Sequence, residues 1–139
     1  GAREGALMGI PAMAVSLATF VNPDFQYAAK CAARLTRVVA KEGMPKGTLL
    51  NVNVPNKEAS SIKGIRMTRQ GLKPIHGTFR KRTDPNLREY YWMTGKMPKN
   101  GNNNDVDTSA LSNDYVTVTP IQSDQTNYSF LETMNRWEV

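Results

Sequence analysis

The sequence predicts an α/β fold, a parallel sheet covered by helices and carrying a separate β-hairpin arm, and three observations predict it. Residues 2–17 run from a short apolar helix through Gly9 and Pro11 into Ile-Pro-Ala-Met-Ala-Val-Ser-Leu, a nearly continuous apolar run suited to a central parallel strand. Residues 25–43 repeat apolar side chains at helical spacing, and residues 48–54 are β-branched and alternating. Helix, strand, helix, strand in that order is the pattern of an α/β unit.

Each element has its own start and stop signals. Ala2, Ala6 and Leu7 share a helical face, Gly9 can close the helix in a left-handed conformation, and Pro11 cannot continue it, so the first helix is expected to end near Met8. Gly1 offers no capping side chain, and the chain is therefore expected to begin inside a helix and to be the C-terminal part of a longer protein. After the strand, Asn22 is the expected cap, Pro23 the first helical residue and Asp24 a favourable charge at the positive helix end. Phe25, Ala28, Cys31, Ala32, Leu35, Val38 and Val39 form the apolar face of that second helix, and Lys30, Arg34, Arg37 and Lys41 lie mostly opposite, up to a stop at Gly43. In the strand of residues 48–54, Asn51 and Asn53 fall on one face, where they either line a polar pocket or meet a covering loop.

From Gly64 the composition changes. Residues 65–69 read as a short strand. Residues 79–83 and 88–93 flank Asp84-Pro-Asn-Leu, a turn with proline at its second position, and together they predict a basic, aromatic hairpin. Arg80 and Arg82 share one of its faces and Lys81 takes the other, so neither face can be buried without a partner. The hairpin is thus an arm exchanged between subunits or a flap over a binding site. Residues 96–105 have loop composition. Residues 115–119 form a β-branched strand ended by Pro120, and a last helix, capped by Asp124 or Thr126, carries Phe130, Leu131, Met134 and Trp137 as a stripe that needs a receiving groove.

Composition narrows the function classes. The longest apolar stretch, residues 9–21, is interrupted by Pro11 and falls short of the roughly 20 residues that span a bilayer. Cys31 is the only cysteine, which excludes an internal disulfide and a cysteine-based metal site within these residues and fits a reducing, cytoplasmic home. Cys31 reads as a core filler and His76, the only histidine, as an exposed loop residue. The net charge of +6 points to an anionic partner: a phosphate-bearing small molecule, polyphosphate, RNA or an acidic surface.

Taken together the motifs resemble the survival protein E (SurE) family of metal-dependent nucleotidases. Those motifs are Ala2-Arg-Glu-Gly-Ala6, Gly9-Ile-Pro with Ala14-Val-Ser16, Asn51-Val-Asn-Val-Pro55, Gly64-Ile-Arg with Thr68-Arg69, and Arg82-x-Asp84-Pro85 before Tyr90-Tyr-Trp92. Asp107-x-x-Ala110 before Tyr115-Val-Thr-Val-Thr-Pro120, and Asp124-x-Thr126 with Trp137, complete the set. The resemblance implies the C-terminal part of a Rossmann-like parallel sheet (residues 1–63), followed by a projecting hairpin arm and an exchanged C-terminal strand–helix segment (residues 64–139). It implies a homodimer or homotetramer, and hydrolysis of nucleoside 5′-monophosphates, in some members also 3′-monophosphates or short polyphosphate, with Mn²⁺ or Mg²⁺. The family's metal ligands, an Asp pair, a serine and an asparagine, precede the Ala-Arg-Glu-Gly motif, so no catalytic or metal-binding residue is assigned to this chain and the chain alone is expected to be inactive. Arg82 and Asp107 remain as candidate substrate-binding residues. Arg82 offers a fork to a phosphate or pairs with Asp84, and Asp107 contacts substrate or caps the exchanged segment. Asp105-Val-Asp107 is the nearest approach to a carboxylate pair. Tyr90, Tyr91 and Trp92 read as subunit-contact aromatics first and as a surface for nucleobase stacking second. The competing readings are a hairpin module that binds single-stranded nucleic acid, which ranks lower, and a purely structural oligomerisation domain.

Overall fold

The computed structural model describes residues 1–72, 76–96 and 104–138. The expected loop of residues 96–105 falls largely outside them, and so does the side chain of His76. The elements are α1 (Ala2–Leu7), β1 (Ala12–Leu17), α2 (Gln26–Glu42), β2 (Thr48–Val54), a 3₁₀ turn (Ala59–Ser61), β3 (Ile65–Met67), β4 (His76–Thr83), β5 (Glu89–Lys96), α3 (Asp107–Ser112), β6 (Val116–Gln122) and α4 (Tyr128–Met134).

Among the described residues four strands make one sheet in the order β1-β2-β6-β3, and β4 and β5 pair only with each other. β1 and β2 are parallel, as are β3 and β6, while β2 and β6 are antiparallel. The sheet is therefore mixed and α/β, and strands from both stretches, residues 1–63 and 64–139, share it. The apolar run of residues 10–17 was expected to lie centrally; among the described residues β1 is the outermost strand, beginning only after Pro11, with Val15 and Ser16 exposed.

Register sorts the side chains into two faces of different chemistry. Met13, Val15 and Leu17 stand opposite Leu50, Val52 and Val54, and Val52 stands opposite Val118, which neighbours Met67. This face meets Ala28, Cys31 and Leu35 of α2 and forms the core, in which Val52, Val54 and Val116 are wholly buried. Phe25 and Val38, expected on the same helical stripe, are exposed. The other face is small and polar. It carries Ala12, Ala14, Asn51, Asn53, Thr117 and Thr119, covered by the buried Ala6 of α1 and by Ser109 and Ala110 of α3. Gly5 lets α1 approach, since a Cβ there would sit 3.2 Å from that of Ala12.

Several boundaries differ from expectation for identifiable reasons. α2 starts at Gln26 because Asn22 and Asp24 are occupied in a loop: the Asp24 amide donates to Asn56 Oδ1 and Asn56 Nδ2 donates to the Asn22 carbonyl. Asp24 Oδ1 accepts from the Gln26 amide, so an Asx turn replaces the Asn22–Pro23 cap. Pro120 does not end β6. Its register partner is Leu50, and β3 pairs with β6 no further than Val118, so the proline lies where β6 has a neighbour on one side only. α4 is capped by Asn127, whose Oδ1 accepts from the Phe130 amide, while Asp124 accepts from the Thr126 amide and the Tyr128 hydroxyl. Gly9 and Gly43, at φ +75° and +77°, end α1 and α2 as expected.

The hairpin is longer than its sequence signal, eight residues per strand. Its turn has the expected form: the Leu87 amide donates to the Asp84 carbonyl, and Asp84 Oδ1 accepts from the amides of Asn86 and Arg88.

Candidate functional site

Strands β1 and β2 end side by side, and across their carboxyl ends the polar face aligns one row of side chains: Ser16, Asn53, Thr117 and Arg66. Asn53 Nδ2 donates to Thr117 Oγ1 at 3.4 Å. One step back along the sheet, Thr119 and Thr68 share a buried hydroxyl–hydroxyl bond of 2.8 Å. The Arg66 guanidinium lies 4.8 Å from the centre of the Tyr115 ring, a cation–π contact that holds it at the end of the row. The adjoining loops are fixed by Asn56, which bridges the segment after β1 to that after β2, and by the Ala18 amide donating to the Val54 carbonyl. Ligands of open α/β sheets bind outside the carboxyl ends of parallel strands. The row there offers neutral donors and acceptors and one cation, a set that orients hydroxyls and amides and holds no carboxylate or imidazole to activate its own hydroxyls.

Beside this face, α3 is tied to the segment after β3. The amides of Arg69 and Asp107 bond to the carbonyls of Asp105 and Arg69, and Arg69 Nε donates to Asp105 Oδ2 at 2.9 Å. Asp107, half-buried, accepts the amides of Gly71 at 2.9 Å and Thr108 at 2.6 Å on the same oxygen. Both of these bonds are to backbone, so Asp107 latches Gly71 onto α3. Gly71 favours this close approach: a Cβ would lie 3.0 Å from Asp107 Oδ1 and 3.1 Å from Thr108 Oγ1, so those side chains would have to shift.

Arg82 stands elsewhere, on the hairpin. It is cross-strand to Tyr90, and its guanidinium lies 6.0 Å from the centre of the Trp92 ring. Asp84, its expected carboxylate partner, is engaged by the turn amides instead. On the opposite hairpin face Lys81 pairs with Glu89 at 2.6 Å. Among the described residues no hydrogen bond or ion pair joins Arg82 to Asp107.

The described carboxylates do not fit a divalent-metal centre. Among the described residues no three His, Cys, Asp or Glu side chains converge. Asp105 and Asp107 bind Arg69 and backbone amides as above, and Asp114 pairs with Lys57 at 2.7 Å, whose hydrogen bond holds its carboxyl below the usual range. Asp124 is held down to about 2, chiefly by the Tyr128 hydroxyl, and Tyr128 is raised in return.

Asn53 was expected on a polar face with Asn51, whereas Ser16, Thr117, Arg66 and the Thr68–Thr119 pair carried no such expectation. A signal for them existed: both Asn51-Val-Asn53 and Thr117-Val-Thr119 alternate polar with valine, which marks a sheet with one polar face.

Fold and polar face place the chain among the α/β proteins that carry their ligand sites beyond the ends of parallel strands. The profile of the family described as survival protein SurE matches residues 1–76, and the chain belongs to that family. The 5′-nucleotidase SurE of Syntrophobacter fumaroxidans is 43% identical over 138 residues, which are 99% of this chain and 55% of that protein. That of Symbiobacterium thermophilum is 40% identical over 138 residues, 99% of this chain and 54% of that protein. The chain thus spans about half the length of the relatives it matches. The crystal structure of SurE protein from Aquifex aeolicus superposes with a TM-score of 0.81 at 36% identity, covering 97% of this chain and 54% of that one.

Proposed function

We propose that the full-length protein containing these residues is a nucleotidase that hydrolyses nucleoside 5′-monophosphates, and that these 139 residues supply scaffold, substrate-orienting groups and assembly surfaces. The observation that carries the reading is the 43% identity over 138 residues to a relative named 5′-nucleotidase SurE. Hydrolysis of 3′-monophosphates and short polyphosphate belongs to the same proposal, as does a cytoplasmic location. The divalent cation that the resemblance implies, Mn²⁺ or Mg²⁺, is assigned to ligands outside these residues, because among the described residues no three carboxylate, imidazole or thiol side chains converge.

Within this chain, Arg82 is the proposed phosphate-facing group. Its guanidinium is spread over Trp92 rather than locked to a carboxylate, so its fork stays available to a phosphoryl group. Asp107 is a positioning residue that acts through Gly71 and α3. The hairpin and the C-terminal helix α4 are the proposed contacts of a dimer or tetramer, since Tyr91, Trp92, Phe130 and Trp137 are all about half exposed or more, whereas the strand β6, expected to be exchanged with them, is paired to β2 and β3 of its own chain.

The test is phosphate release from AMP by the full-length protein with Mn²⁺, with EDTA, and with Arg82→Ala. Turnover with Mn²⁺, loss in EDTA and a raised KM in the variant are expected. Robust turnover by the 139-residue chain alone would overturn the assignment of the metal ligands.

A further inference from the structure

On the face of the sheet opposite the polar row, α2 and the start of β3 enclose a groove of about 410 Å³, lined by Tyr27, Lys30, Cys31, Arg34, Gly64 and Ile65. Its helical wall is one face of α2, since residues 27, 30, 31 and 34 follow the i, i+3, i+4, i+7 spacing. Lys30 and Arg34 stand one turn apart and are both exposed, and among the described residues neither pairs with a carboxylate. Like charges at that spacing repel, and an anion between them relieves the repulsion. The floor is different in character: Cys31 is 5% exposed and Ile65 packs against the core. Gly64, at φ +121°, has no atom within 4 Å of the position a Cβ would take, so the mouth stays open beside the cations. Arg34 acts on the groove itself, drawing down the thiol of Cys31 and the phenol of Tyr27, both of which burial pushes up.

We infer that this groove is a second ligand site, for a phosphorylated small molecule with a planar or apolar body, of which a nucleotide is the fitting class. The phosphate is taken by the Arg34 fork and the Lys30 ammonium, and the body lies on Tyr27 and Ile65. The volume is that of a small-molecule site rather than of an extended polymer track. Because α2 and the polar row occupy opposite faces, a ligand here is separate from one at the ends of β1 and β2 and is suited to regulate rather than to react.

The full-length protein is photolabelled with 8-azido-ADP in EDTA, and the modified peptides are mapped by mass spectrometry. The label is expected within residues 26–34 or 63–66. Lys30→Glu with Arg34→Glu should cut that label at least tenfold, the milder Arg34→Gln severalfold, and Arg37→Glu less than twofold, with circular dichroism and AMP turnover unchanged in all of them. Inorganic pyrophosphate should compete. Label found only elsewhere, label indifferent to both substitutions at Arg34, or label displaced by a single-stranded oligonucleotide but not by unlabelled ADP would each overturn the inference.

Discussion

Strands β2 and β5 are seven and eight residues long and both rich in strand-forming side chains, yet they end in opposite environments. Val52 and Val54 of β2 are 0% exposed, whereas Tyr91, Trp92 and Met93 of β5 are 65%, 55% and 67% exposed. β2 has a strand on each side and helices over both faces; among the described residues β5 pairs with β4 alone. A lone two-stranded ribbon is marginal in water, and one that keeps this much aromatic surface uncovered is built to be covered by something else. α4 repeats the pattern. Phe130 and Trp137 meet edge to face at 5.8 Å, but both remain half exposed, as do Leu131 and Met134. The centre of the sheet is covered by its own chain, and the arms are not.

The comparison breaks most readily at its buried end. Leu35→Ala, under the sheet at 7% exposure, is expected to cost about 2–5 kcal/mol in urea unfolding, since it leaves a cavity beside Val52 and Val116. A cost near zero would mean that α2 does not seal the core. Thr119→Val should cost about 1–3 kcal/mol by leaving the Thr68 hydroxyl buried without its partner, while Thr68→Val with Thr119→Val should cost less than Thr119→Val alone. Asp107→Ala, which releases the amides of Gly71 and Thr108, should cost about 1–2 kcal/mol, and Asp107→Asn less.

At the exposed end the effects on folding shrink. Trp92→Ala is expected to change unfolding of the body by less than about 0.5 kcal/mol while altering assembly, because among the described residues β4 and β5 form a sheet of their own and Trp92 is 55% exposed. The smallest effect is one of pH. Asp124 is depressed from 3.8 to about 2, so what its bond to Tyr128 contributes is complete above 3.8 and lost as pH falls through about 2. Monitored by exchange of the Thr126 amide, the start of α4 should loosen in that window, and Asp124→Asn should abolish the pH dependence.

How much of this was legible in the sequence follows the same division. The body's elements could be read because period and punctuation agree there: Gly9 and Gly43 stop helices, and Asn51 to Val54 alternates as the structure places it. The misreadings came from tertiary partners that local signals cannot show. Asn22 and Pro23 make a good helix start, but Asn56, 34 residues away from Asn22, claims that loop. Pro120 makes a good strand stop, but β3 ends before it and leaves it nothing to break. Arg82 was legible as a cation on the hairpin and not as one lying over Trp92, since cross-strand neighbours depend on register. The polar row needed the pairing of four strands before its members could be recognised as neighbours.

That the arms are finished by a second copy of the chain is tested most directly by the mass of the full-length protein in light scattering at micromolar concentration. The account predicts a dimer or tetramer that falls to monomer when Trp92→Asp and Trp137→Asp are combined, with the far-ultraviolet circular dichroism of the body retained. A wild-type protein that is monomeric throughout that range would contradict it.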